Sequence, residues 1–97
     1  MTTTDEIERD RPPKTHELKC IHPLWRDVLD GVKTFELRKN DRDYQIGDVL
    51  VLNEFIRDAI GGRYTGASVR VRVVYTLTAG EWLAPGMIAL GIVRCGP

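Results

Sequence analysis

Between Val69 and Thr76 the side chains alternate: Val69, Val71, Val73 and Tyr75 share one parity, Arg70, Arg72, Val74 and Thr76 the other. A period of two sends successive side chains to opposite faces of an extended backbone, so this segment reads as a strand with one face in a core and the other partly basic. The same period recurs twice in the first half of the chain. From His16 to Ile21, Leu18 and Cys20 lie opposite Glu17 and Lys19; from Thr34 to Lys39, Phe35 and Leu37 lie opposite Thr34, Glu36 and Arg38. Val49-Leu50-Val51-Leu52, introduced by Gly47-Asp48, is apolar enough to be buried on both faces. Met87 to Arg94 supplies a last apolar strand, interrupted at Gly91 where a bulge or bend suits a closing barrel.

One helix interrupts this pattern. Pro23 stands at a first-turn position, Trp25, Val28 and Leu29 follow at helical spacing, and Gly31 stands where a C-terminal stop belongs. Trp25 shares a stripe with Val28 and Leu29, which makes it a core anchor rather than a platform for a nucleobase. Asn40-Asp41-Arg42-Asp43 reads as a turn, and Arg57 to Gly66, with three glycines, as an exposed hairpin loop. Residues 1–15 contain Pro12 and Pro13 and no hydrophobic period, so they are expected to form a tail, with one domain over 16–97. Ninety-seven residues leave no room for a second core. Five to six short strands and one short helix after the first favour an α+β fold, a small mixed barrel capped by the helix, whose closure removes exposed sheet edges.

Charge narrows the function. Fourteen basic and fourteen acidic residues cancel, so no global field draws the chain onto nucleic acid or an anionic membrane, and any such contact is local. The polar start is no signal peptide and no stretch has membrane-spanning length, so a soluble, cytoplasmic protein without membrane partners is expected. Cys20 and Cys95 are far apart and lack metal-site spacing; reduced thiols and no bound metal are expected. His16 and His22 have no paired nucleophile and read as structural. Gly61-Gly62 lacks the Lys-Ser/Thr that a phosphate-cradling loop requires, and no cofactor site is seen.

Gly31-Val32-Lys33-Thr34-Phe35-Glu36-Leu37-Arg38 fits the pattern Gly-x-Lys-x-x-Glu-x-Arg, which resembles the signature of ASCH domains in the PUA-like superfamily. His16-Glu17-Leu18-Lys19-Cys20, Arg38-Lys39-Asn40-Asp41-Arg42, Tyr44-Gln45-Ile46-Gly47-Asp48-Val49-Leu50 and Pro85-Gly86-Met87-Ile88-Ala89-Leu90-Gly91-Ile92 resemble, in order, a functionally uncharacterised bacterial and phage branch. The likeness covers about residues 16–93. It implies a PUA-like barrel with a cleft beside the motif, and a superfamily theme of binding RNA or modified nucleotides.

The chemistry of the motif agrees with that theme. Lys33 can meet a phosphate as a point charge, Arg38 can grip phosphate or a base edge with two donors, and Glu36 can accept from an exocyclic amine. Lys19, Arg70 and Arg72 are candidate rim contacts. A plain solvated Glu36–Arg38 ion pair is the structural alternative. With so few cations, a short RNA feature or a nucleotide suits the chain better than long nucleic acid. Some ASCH relatives are acetylcytidine amidohydrolases that use a Lys, a Thr and a distant Glu; here Lys33 keeps the lysine place, Glu36 stands where the threonine belongs, and Thr34 is displaced along the strand. Lys33, Glu36 and Thr34 are the catalytic candidates of that enzymatic alternative. A phage or bacterial accessory protein that binds a host protein is a third reading, and a monomer is favoured.

Overall fold

The computed structural model describes residues 11–78 and 80–96. Its elements are β1 (Thr15–Ile21), α1 (Leu24–Leu29), β2 (Phe35–Lys39), β3 (Val49–Ile56), β4 (Arg63–Thr78) and β5 (Met87–Arg94). They form a single five-stranded mixed sheet in the order β1-β3-β4-β5-β2. β1 runs parallel to β3, and the other neighbours are antiparallel. Among the described residues no helix is long and apolar enough to cross a membrane.

The inner face follows the alternation of the sequence. Leu18, Cys20, Leu50, Leu52, Val69, Val71, Val73, Ile88, Leu90 and Ile92 are all buried there. Complete burial of an aliphatic side chain such as Leu50 or Leu90 contributes about 1.5–3 kcal/mol. α1 plugs one end of the curl: Trp25 and Val28 are buried, and Trp25 Nε1–H donates to the Leu52 carbonyl at 2.8 Å. Trp25 is therefore the anchor its spacing predicts. The His22–Pro23 peptide leading into α1 is cis.

The expected barrel is a half-barrel. Its two edges, β1 and β2, are not hydrogen-bonded neighbours; side chains bridge the gap instead. Arg38 Nη2 donates to the Lys19 carbonyl at 2.8 Å, and Arg42 Nη1 donates to the Glu17 carbonyl at 3.1 Å. Long cationic side chains cap the outward carbonyls of β1, which blunts an edge that a further strand would otherwise pair with.

Three local readings change. β4 begins at Arg63 and runs for 16 residues, so the loop predicted over Arg57 to Gly66 shrinks to residues 57–62. A register shift between Asn53 and Phe55 lets the pairing resume at Phe55–Tyr64 and Ile56–Arg63, which exposed polar residues do not announce. The irregularity expected at Gly91 lies opposite it, between Val73 and Tyr75 of β4. Gly91 is the partner that accommodates it: a Cβ there would stand 3.0 Å from Tyr75 Cβ.

The third change concerns the start of the chain. Residues 1–10 of the expected tail lie outside the described residues, but Arg11 to Lys14 are held. Asp48, with 0% exposure, accepts from Arg11 Nη1 at 2.9 Å and Nη2 at 2.8 Å, from the Lys14 N–H at 3.0 Å and from the Gln45 N–H at 3.1 Å. His16 Nε2 is 2.8 Å from the same carboxylate. Burial alone would raise the Asp48 pKa, but these donors outweigh it and hold the carboxyl well below its ordinary range.

Candidate functional site

The sense of β2 decides where its charges go. Glu36 pairs with Leu90 and Arg38 with Ile88, both buried on the inner face, so Glu36 and Arg38 point inward while Phe35 and Leu37 point out. Glu36 is 4% exposed, whereas Phe35 and Leu37 are 47% and 52% exposed. This inverts the usual burial of a half-buried strand, where the apolar parity faces the core.

A buried carboxylate needs partners, and Glu36 has them on both oxygens. Lys33 Nζ donates to Oε2 at 2.5 Å and also to the Phe35 carbonyl. Arg38 donates to Oε1 through Nε at 3.1 Å and Nη2 at 2.8 Å. The motif thus folds into a three-member ion cluster carrying a net positive charge. The turn before β2 sets Lys33 in place, because the Val32 and Lys33 N–H groups both donate to the Asp27 carbonyl of α1, at 2.9 and 3.0 Å.

Beside this cluster lies a cleft of about 430 Å³, lined by Lys19, Cys20, Ile21 and Leu24 on one side and by Lys33 and Phe35 to Arg38 on the other. It occupies the seam between the two sheet edges. The Cys20 thiol is pushed up to about 11, first by burial and then by the nearby Glu36 carboxylate, with Arg38 and Lys33 opposing. A neutral thiol adds to the apolar wall and is no nucleophile.

Lys33, Glu36 and Arg38 therefore come together as their spacing predicts, and Lys19, a candidate rim contact, lines the same cleft and meets Arg38 through its backbone carbonyl. Arg70 and Arg72 do not join them. They alternate with the buried Val69, Val71 and Val73 and so stand on the outer face, away from the cleft. Thr34 and Gly31 line an adjoining pocket of about 280 Å³ with Val28, Val71 and Ile92, and Lys33 lines both this pocket and the seam cleft. Glu36 lines the seam cleft and Thr34 lines the adjoining pocket.

The sequence also conceals two imidazole–carboxylate pairs. One is His16 with Asp48; the other is His22, whose Nδ1 is 2.7 Å from Glu54 Oε2. Glu54 lies below the ordinary carboxylate range because the Thr65 hydroxyl donates to it at 2.8 Å, against the effect of burial, with His22 adding to the shift. Each pair spans 32 residues, and no local signal could have found them. Phe35, Ile21 and Leu24 were equally unmarked as cleft walls. Among the described residues no group of three His, Cys, Asp or Glu side chains is gathered as a metal centre would require.

The fold and the cleft define a small, mostly-sheet domain with a charged pocket at the open seam of a half-barrel. The chain belongs to the family described as "Domain of unknown function (DUF3850)", whose model matches residues 15–92. It is 39% identical over 71 residues to a protein of Escherichia phage P2, the "Uncharacterized 12.9 kDa protein in GpA 3'region". The match covers 72% of this chain and 61% of the phage protein, less than two thirds of the latter's length. Both findings agree with the bacterial and phage branch expected from the sequence blocks, at the level of this family and not of the ASCH domains.

Proposed function

We propose that the seam cleft binds a single nucleotide or modified nucleobase of RNA, and that the domain is an ASCH-type, PUA-like module acting by binding rather than catalysis. The observation that carries this reading is the Lys33–Glu36–Arg38 cluster, fixed in place beside an exposed aromatic wall. Phe35, 47% exposed and with the Lys33 ammonium 4.8 Å from its ring centroid, offers an aromatic ring against which a base can pack. Arg38 Nη1 has no protein acceptor among the described residues and can donate to a base edge or phosphate. Lys19 supplies a further cation at the rim.

Both Glu36 oxygens are occupied by cations, and the Lys33 ammonium is spent as a donor on Glu36 and on the Phe35 carbonyl. Thr34 lines the adjoining pocket, not the seam cleft, and with Glu36 and Lys33 engaged with each other no base is free to activate a nucleophile, which weighs against the amidohydrolase alternative. The test is a titration of the purified protein with nucleosides and 5′-monophosphates, acetylcytidine among them, at low salt, with assay for released acetate. Saturable binding that Arg38→Ala or Phe35→Ala weakens supports the reading. No saturation across the set sinks it, and turnover replaces it with hydrolysis.

A second reading, a protein partner, draws on the outer apolar face. Phe35 and Leu37 of β2 lie across Gly91 and Ala89 of β5 from Tyr75 and Leu77 of β4, and all four larger side chains are exposed. Capture of a host protein that Leu77→Glu abolishes and Arg38→Ala leaves intact would favour it.

A further inference from the structure

Lys19 belongs to two surfaces at once. It lines the seam cleft, and its ammonium sits 4.2 Å from the centroid of the Phe55 ring. Phe55 in turn packs against Tyr64 with centroids 5.0 Å apart and planes at 74°. Ile21 of the cleft wall pairs with Phe55, and Phe55 pairs with Tyr64, so the three stand in one row across β1, β3 and β4. Two interstrand spacings place Tyr64 about 10 Å from the cleft wall.

The row has a built support. The loop over residues 57–62 returns against Phe55 so closely that a Cβ at Gly62 would stand 2.4 Å from the Ile56 carbonyl and 2.6 Å from the Phe55 ring. With φ +131° as well, that position admits glycine alone. Phe55 is therefore held on one side by the loop and braced on another by Tyr64, and Tyr64 stays 56% exposed. Arg63, next in the chain, is exposed too. An exposed aromatic ring braced by Phe55, with the Lys19 ammonium over that same Phe55, has the composition of a stacking platform for single-stranded nucleic acid.

We infer that the ligand is a short single-stranded oligonucleotide, with one base in the seam cleft, the neighbouring base stacked on Tyr64, and Lys19 at the phosphate between them. This rests on the nucleotide reading of the cleft and extends it from a mononucleotide to a strand with direction. Stacking on Tyr64 adds affinity that no isolated nucleotide can collect.

Paired titrations separate the two levels. The four 5′-mononucleotides, acetylcytidine monophosphate and the trinucleotides A3, C3 and U3 are titrated into wild-type, Tyr64→Ala and Tyr64→Phe proteins at low salt. A trinucleotide should bind at least about tenfold tighter than its own mononucleotide. Tyr64→Ala should reduce that advantage to the threefold or so expected from three equivalent bases, Tyr64→Phe should keep most of it, and mononucleotide affinity should be the same in all three proteins. Mononucleotide binding with no trinucleotide advantage, or an advantage that survives Tyr64→Ala, overturns the inference and leaves the cleft reading standing. Absence of binding by every ligand overturns both.

Discussion

Arg38 reaches across the open seam to Lys19: its Nη2 donates to the Lys19 carbonyl at 2.8 Å while the same nitrogen and Nε hold Glu36 at 2.8 and 3.1 Å. One side chain thus neutralises a buried carboxylate and ties the two sheet edges together. Arg38→Lys keeps the charge but cannot make both contacts, because an ammonium lacks the planar fork. The expected cost is about 1–3 kcal/mol in denaturant unfolding, with faster amide exchange in β1 than in β4. Equal exchange in both strands would refute the seam role.

Asp48 makes the fold acid-sensitive. Its folded-state pKa is depressed from an ordinary value of 3.8, so its stabilisation is fully present above that value and is lost as pH falls through the depressed folded value. Asp48→Asn removes the charge that Arg11 and His16 face, and should cost about 3–5 kcal/mol at neutral pH. It should also flatten the decline in melting temperature below pH 4. A variant as acid-sensitive as the wild type would show that another carboxylate governs that limb.

The two thiols should differ in reactivity. Cys20 is 4% exposed, with its pKa pushed up to about 11, whereas Cys95 is partly exposed. At pH 8 a thiol reagent should modify Cys95 in the native protein while Cys20 reacts only on unfolding. Prompt modification of both, read by mass spectrometry, would contradict the packing of β1.

Phe35 tests the cleft with little risk to the fold. Being half exposed, it can be cut to alanine with a stability change of about 1 kcal/mol or less, yet loss of a stacking wall should weaken nucleotide binding about 5- to 100-fold. Unchanged affinity would remove the aromatic wall from the site.

Part of this was legible in the residues themselves. The alternation at Val69–Tyr75, at Leu18–Cys20 and through Met87–Arg94 marked strands and their buried parity, because strand geometry fixes which side chains share a face. The spacing of Trp25, Val28 and Leu29 marked the single helix, and the motif residues Lys33, Glu36 and Arg38 did converge. The placement of Arg70 and Arg72 was decided by the same alternation, since residues interleaved with buried valines must stand outside.

β2 shows the boundary most clearly. Its alternation determined that Phe35 and Leu37 face one way and Glu36 and Arg38 the other, but not which way is in. That depended on β5 and β1 coming from elsewhere in the chain: Leu90 and Ile88 as inward neighbours, and the Lys19 carbonyl as an acceptor for Arg38. A carboxylate can be buried only where cations and donors are assembled around it; Lys33 and Arg38 are near Glu36 in the chain, but the sheet that encloses all three comes from distant positions. The same holds for Asp48, which gathers Arg11, Lys14, His16 and Gln45. Local geometry, set by adjacent residues, was carried by the sequence; the inside, the open seam and the long-range partners of Asp48 and Glu54 were decided only when the sheet curled.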